Sequence, residues 1–196
     1  MRKIGITGNI GSGKTWVCKI FEALDIPIFY ADLEARIILN SPSVITELAD
    51  TFGSQIVSST EKIDRKALAS IVFNNSSELN KLNRIIHPKL RLMFLNWAQK
   101  QEALYVIQEA AILFENGFDA IMDKTITVAA PKNIRLGRVI KRDGASQEEV
   151  LARMKHQWSD IKKENAADYI IQNDGHQMVL PQVIHIHQQI TQQTDL

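Results

Sequence analysis

The chain has 196 residues, of which 45% are apolar, and a formal charge of +1. That length suits one domain with insertions better than two independent ones, and the apolar share suits a buried core. The near-neutral balance argues against broad, non-specific nucleic-acid binding, and no apolar run reaches membrane-spanning length.

Ile4-Gly5-Ile6 reads as a first strand, and its place at the start of the sequence fits no signal peptide. It leads into Gly8-Asn9-Ile10-Gly11-Ser12-Gly13-Lys14-Thr15, which has the spacing G-x-x-x-x-G-K-[ST] of a phosphate-binding loop, the P-loop. Glycines let successive backbone N–H groups curl around a phosphate, and the helix that follows points its free N–H groups at the same anion. Lys14 can then reach the β- and γ-phosphates, and the Thr15 hydroxyl can ligate Mg2+. The chain therefore binds a nucleoside triphosphate. Val17, Ile20, Phe21 and Leu24 give the following helix one buried face. The sole cysteine, Cys18, lies in that helix; no internal disulfide can form, and a reducing cytoplasm is expected.

Residues 26–30 read as a second strand, followed by Ala31-Asp32 and a helical pattern through Ile37, Ile38 and Leu39. In an open parallel sheet ligands gather beyond the carboxyl ends of the strands. Asp32 is thus a candidate base for an attacking hydroxyl, or holder of a Mg2+-bound water; it can equally cap the next helix. A helix over 43–52 stops at Gly53. Asp64 can cap a helix starting at Arg65, and Asn74-Asn75-Ser76-Ser77 reads as a break. One helix then runs through Leu79, Leu82, Ile85 and Ile86 to His87-Pro88, and a longer one carries Leu90, Phe94 and Trp97. The block 64–103 is predicted to be a helical insertion beside the sheet.

Strands resume at 104–107 and 125–129, both continuous apolar or β-branched runs, as a sheet covered on two faces requires. Arg135, Arg138 and Arg142 share one face of a helix that Asp143-Gly144 ends, and Ser146 with Glu149 forms a capping box for the next. Beside a P-loop, such guanidinium groups suit the charge that develops on transferred phosphate, and the helix pair reads as a lid that excludes water. Residues 169–171 form a last strand, Asn173-Asp174-Gly175 a turn, and a final helix carries Val183, Ile186 and Ile190. Alternating strands and helices predict a parallel sheet in an α/β fold. A GTPase switch is disfavoured: Asp50-Thr51-Phe52-Gly53 ends a predicted helix instead of following a strand, and no Asn-Lys-x-Asp string occurs.

The ordered set of motifs resembles the dephospho-CoA kinase family over nearly the whole chain. It comprises residues 6–14, Ala31-Asp32, Phe52-Gly53, residues 63–68, Val72-Phe73, His87-Pro88, Ile112-Leu113-Phe114-Glu115 and the closing segment 167–175. The resemblance implies a P-loop kinase-type parallel sheet flanked by helices, with a helical substrate-binding insertion and a helical lid. The core would span 1–52, 104–130 and 166–196, the insertion 64–103 and the lid 132–165. It implies transfer of phosphate from ATP, with Mg2+, to the ribose 3′-hydroxyl of dephospho-CoA, giving coenzyme A and ADP. By the same resemblance Asp32, Lys14 and Arg138 carry the catalysis. Asn9, Gly11, Ser12, Gly13, Lys14, Thr15, Trp16, Arg138, Arg142 and Asn173 bind ATP, and Asp32, Arg65 and His87 meet the acceptor. Thr15 would bind the metal, with Asp32 acting through water. His87 reads equally as a turn between helices, and Asn173 as a plain turn residue. A monomer with room for weak self-association is expected, with no nucleic acid and no membrane as partners.

Three positions depart from the family pattern. Tyr30 stands where the family often has an aspartate. Trp16 replaces a threonine, leaving its ring to pack on nucleotide or core. Glu109-Ala110-Ala111 replaces a stretch that often reads Asp-x-Pro, so Glu109 either acts at the metal through water or simply ends a strand. Another small-molecule kinase on the same core, or a nucleotide-dependent binding module without transfer, are the competing readings.

Overall fold

A computed structural model describes residues 1–72 and 75–192. Phe73 of the Val72-Phe73 pair and Asn74 of the expected break lie outside the described residues. The chain divides into two compact units, Met1–Tyr30 with Ala98–Leu196, and Ala31–Trp97.

The first unit is built on a five-stranded parallel sheet of order β2-β3-β1-β4-β5. Its strands are β1 (Arg2–Thr7), β2 (Ile28–Tyr30), β3 (Tyr105–Glu109), β4 (Lys124–Ala129) and β5 (Tyr169–Gln172). Helices α1 (Lys14–Glu22) and α9 (Val179–Gln192) bring Val17, Cys18, Phe21, Val183, Ile186 and Ile190 into one core with Ile4, Ile6, Ile107, Ile126 and Ile171. Burying each such large side chain contributes ~1.5–3 kcal/mol. Gly5 faces the other side of the sheet, where any Cβ would press on Leu113 and Met122. Cys18 is wholly buried, and burial, reinforced by Glu109, pushes its thiol up, so it is a packing residue and not a reactive one.

Three further helices of this unit follow β4: α6 (Lys132–Asp143), α7 (Gln147–Met154) and α8 (Asp160–Ala166). Gly144 closes α6 in the left-handed conformation, and both hydrogen bonds of the Ser146–Glu149 capping box are present. The expected lid was one helix pair. The structure adds α8, capped by Ser159, whose one buried residue is the charged Lys163 and so leaves no apolar period to read.

The second unit holds α2 (Ala31–Leu39), α3 (Pro42–Phe52), α4 (Arg65–Val72) and most of α5 (Ser76–Ala98). Gly53 ends α3 as expected, and Asp64 caps α4 by accepting from the N–H groups of Lys66 and Ala67 at 2.9 and 3.1 Å. Two expectations fail here. Ser76 and Ser77 belong to α5, with Asn75 as the cap, accepting from Ser77 N–H at 3.0 Å. His87-Pro88 is not a turn between helices, because α5 runs through it as one element of 23 residues. Proline has no N–H to donate, yet buried Ile86, Leu90 and Phe94 on either side of it hold both halves to one face.

At the base of the sheet, Asp168 ties β5 to β4. It accepts from the Lys124 ammonium at 2.9 Å, from Thr125 N–H at 2.8 Å and from the Thr125 hydroxyl at 2.9 Å. Burial alone would raise its carboxyl, but the bonds from Lys124 and Thr125 outweigh burial and hold it below the ordinary carboxylate range. Its stabilising contribution is therefore complete above about pH 4 and is lost as the pH falls through the folded value. Asp168→Asn is expected to flatten the acid limb of a Tm-against-pH curve below about pH 4. An acid limb identical to wild type would mean that the carboxylate contributes nothing there.

Candidate active site

The loop between β1 and α1 has the backbone that phosphate binding requires. Gly8, Gly11 and Gly13 have φ of 152°, 81° and 94°, and Ser12 N–H closes a turn on Asn9 O at 2.9 Å. A Cβ on Gly11 would stand 2.5 Å from the backbone oxygen of Arg135, and one on Gly8 2.5 Å from that of Val128. Glycine is thus needed twice over at 11, for the left-handed φ and for the close approach. Gly13 caps α1, whose first turn carries Lys14, Thr15 and Trp16.

Lys14 lies folded over the loop, donating to Gly8 O at 3.0 Å, with Glu109 Oε1 3.6 Å away. Both side chains of that pair are about nine-tenths buried. Arg138 reaches the same loop from α6, donating to Gly11 O and Ser12 O at 3.4 Å each, and to Asn173 O at 3.0 Å. The Asn173 amide in turn donates to Ser12 O at 2.7 Å. Lys14, Arg138 and Asn173, far apart in the chain, therefore meet at Gly8–Gly13. Ser12 is buried, and the Thr15 hydroxyl is exposed on the first turn of α1.

The three arginines of α6 do not form one stripe. Arg135 is buried, and its guanidinium donates to Ala130 O at 3.0 Å, to Ile10 O at 3.3 Å and to the Asp160 carboxylate. Only Arg138 lies against the loop mouth. Arg142 is held by Asp143 at 2.7 and 3.1 Å, and Arg153 of α7 grips the same carboxylate at 2.9 Å. Those partners, the Arg142 bond foremost, hold the Asp143 carboxyl below its usual range, so Asp143 pins α6 to α7.

In the helical unit, Asp32 is exposed and is the second residue of α2. The expected capping role is not found, since the helix already includes Ala31; a carboxylate in the first turn suits the helix dipole instead. Arg65 is exposed at the first position of α4. His87 is half-buried in α5, and burial together with the nearby charge of Arg91 lowers its imidazole, favouring the neutral form.

A second ring of residues, mostly unread in the sequence, surrounds the loop from behind. Asn9 is buried and its amide donates to Trp158 O at 3.0 Å and Asp160 Oδ1 at 2.6 Å. Lys163 is 1% exposed, with Ala111 O at 2.7 Å and Glu115 Oε1 at 3.0 Å. Burial pulls its ammonium below the ordinary lysine value, partly offset by Glu115. Among these, Asn9 had a signal as part of the P-loop, where it was expected to meet ATP, and Glu115 as part of the Ile112–Glu115 motif; Trp158, Asp160 and Lys163 had none.

Comparison with known proteins agrees with this geometry. The family model for dephospho-CoA kinase matches residues 2–178. The chain belongs to the dephospho-CoA kinase family. It is 36% identical over 186 residues to the dephospho-CoA kinase of Bacteroides fragilis, covering 94% of this chain and 90% of that one. With the dephospho-CoA kinase of Chlorobaculum tepidum it shares 41% over 180 residues, covering 88% and 86%. The solved dephospho-CoA kinase of Campylobacter jejuni superposes with a TM-score of 0.71 at 29% identity, covering 97% and 98%.

The three departures from the family pattern now have physical places. The Tyr30 hydroxyl donates to Glu22 at 2.9 Å, so its ring closes the edge of the core and adds no carboxylate. Trp16 is 61% exposed, which rules out packing of its ring in the core. Glu109 ends β3 beside Lys14, giving this member of the family a carboxylate at the strand end. Gly11→Ala is expected to weaken ATP binding at least ~tenfold, since a left-handed alanine alone costs ~1–2 kcal/mol before the Arg135 contact is added. Isothermal calorimetry checks this; ATP binding equal to wild type would mean that the loop tolerates a Cβ at 11.

Proposed function

We propose that the chain transfers the γ-phosphoryl group of ATP to the ribose 3′-hydroxyl of dephospho-CoA, giving coenzyme A and ADP, the last step of coenzyme A synthesis. The observation that carries this reading is the meeting of Lys14 and Arg138 at the P-loop of a dephospho-CoA kinase.

ATP binding places the β- and γ-phosphates on the loop N–H groups of Gly11–Thr15. Lys14 exchanges Gly8 O and Glu109 for phosphate oxygens, and Arg138 extends from the loop carbonyls toward the transferred group. Both charges oppose the negative charge that spreads over the phosphoryl oxygens in the transition state. Asn173 holds Ser12 in place at the nucleotide's edge, and Trp16, exposed on the first turn of α1, offers a ring to the nucleotide. Arg142 joins the ATP site by leaving Asp143. Asp32 accepts the proton of the attacking 3′-hydroxyl. The helical unit Ala31–Trp97 receives the acceptor, with Arg65 as a cationic contact and neutral His87 as a hydrogen-bonding one.

Mg2+ is the metal we assign, brought in with ATP. Among the described residues no group of three or more His, Cys, Asp or Glu side chains is placed to hold a metal. That suits a cation which takes one or two protein oxygens and fills its shell with water and phosphate. The exposed Thr15 hydroxyl and the Glu109 carboxylate are the groups that would serve it, with Asp32 through water. When bound, the ion neutralises phosphate charge as it shifts to the leaving oxygen. We assign the enzyme to the cytoplasm as a monomer; no helix among the described residues is long and apolar enough to cross a membrane.

ADP release measured with ATP, Mg2+ and dephospho-CoA, beside a panel of nucleoside monophosphates and a no-acceptor control, tests the substrate. Release that depends on dephospho-CoA, with a product matching coenzyme A, is expected. Release with a monophosphate alone would overturn the assignment. In the same assay Lys14→Ala is expected to lower kcat/KM by about 10²–10³ or more. Asp32→Asn should cut kcat by about 10²–10⁴ while leaving ATP affinity nearly unchanged. Near-normal turnover of the Asp32 variant would remove that residue from the mechanism.

A further inference from the structure

The outer limb of the P-loop, Asn9-Ile10, is neither strand nor helix, and one distant segment meets both the Asn9 side-chain amide and the Ile10 N–H. Gln157, in the connection from α7 to α8, uses both ends of its amide. Its Oε1 accepts from Ile10 N–H at 2.8 Å, and its Nε2 donates to Ala111 O at 3.3 Å, beyond the end of β3. Trp158 O and Asp160 accept from the Asn9 amide, and Asp160 also holds Arg135, whose guanidinium reaches Ile10 O. The segment is itself fastened to the loop after β3. Trp158 N–H donates to Glu115 Oε1 at 2.8 Å, and Lys163 Nζ reaches the same carboxylate and Ala111 O. The rings of Trp158 and Phe114 stack at 5.9 Å. All of these contacts lie within one compact unit.

We infer that Gln157 is a positioning residue for the ATP phosphates, the first residue of a strap over 157–163 that holds the P-loop open to phosphate before the nucleotide arrives. The inference rests on the P-loop being the ATP site. An anion bound by convergent N–H groups loses affinity when the peptide planes that carry them are free to rotate. Gln157 fixes the Ile10 plane by its N–H, while Arg135 fixes the next carbonyl, so the N–H groups of Gly11 to Lys14 start from a set direction. Both ends of the Gln157 amide are already engaged with the protein. The residue therefore acts on phosphate through the loop it holds. The strap also begins three residues after α7 ends at Met154, so the loop's shape is tied to the foot of the lid.

Gln157→Met keeps the side chain's length and removes both hydrogen bonds; Gln157→Ala removes the side chain. Gln157 is only half-buried, so neither change digs into a core. ATP dissociation constants from calorimetry, with Tm, kcat and both KM values, form the test. The expected result is ATP binding about tenfold weaker in both variants, as loss of one well-formed hydrogen bond to a loop N–H predicts. The KM for dephospho-CoA and kcat at saturating ATP should stay within about threefold of wild type. Wild-type ATP affinity in both variants would overturn the inference. So would a fall in which Tm, kcat and both KM values worsen together, because that pattern is general damage. Direct ATP binding does not depend on the acceptor. Failure of wild-type enzyme to phosphorylate dephospho-CoA would thus refute the proposed reaction and leave the comparison of ATP affinities standing.

Discussion

A phosphate-binding loop has to aim several backbone N–H groups at one point, and a free peptide will not hold that shape. Here the constraint is met by pressing the loop against a carbonyl. Gly11 lies against the backbone oxygen of Arg135, at a distance that no side chain would permit. The first turn of α6 is thereby the floor of the loop, and the Arg135 guanidinium returns from that turn to Ile10 O and Ala130 O. The start of the lid helix and the loop are one packed object. The parallel sheet beneath supplies the fixed points, since β1, β3 and β4 all end at this level in register.

Charge at the site follows the same plan of preparation before binding. Lys14, Arg135, Arg138 and Lys163 all lie within reach of Gly8–Gly13 or the chain just behind it, and each has a protein partner. The partners differ in strength. Arg135 and Lys163 are buried and held by carboxylates, so they cost least when kept in place. Lys14 rests on a carbonyl at 3.0 Å and a 3.6 Å carboxylate, and Arg138 on carbonyls at 3.0 and 3.4 Å, neutral or distant partners that a phosphate can replace. The division between structural and mobile cations can be read from these partners. It also explains why three arginines on one helix have three environments.

Much of the fold was legible because its signals are local. The glycine spacing, the continuous apolar runs of β3 and β4, and the caps at Asp64 and Ser146 are each settled within a few residues. Pro88 misled because helix breaking by proline is also a local rule, and the packing of Ile86, Leu90 and Phe94 overrides it. Helix α8 went unread because its inward position carries Lys163, which no hydrophobic period registers. The support behind the loop was out of reach for a different reason. Gln157 and Ile10 are 147 residues apart, and a glutamine in a polar connection carries no mark of the backbone it will meet. Residue types that touch phosphate have a signature; residues that hold those in place do not.

The burial of Cys18 has a practical side. It is the only cysteine of the chain, it is wholly enclosed between α1 and the sheet, and its thiol is held in the unreactive form. A single cysteine introduced on the exposed last turn of α6, at Lys141 for example, would then be the one site open to a maleimide or nitroxide reagent. The enzyme can be given a spectroscopic reporter on its lid without first removing a native thiol and disturbing the helix that carries the P-loop lysine.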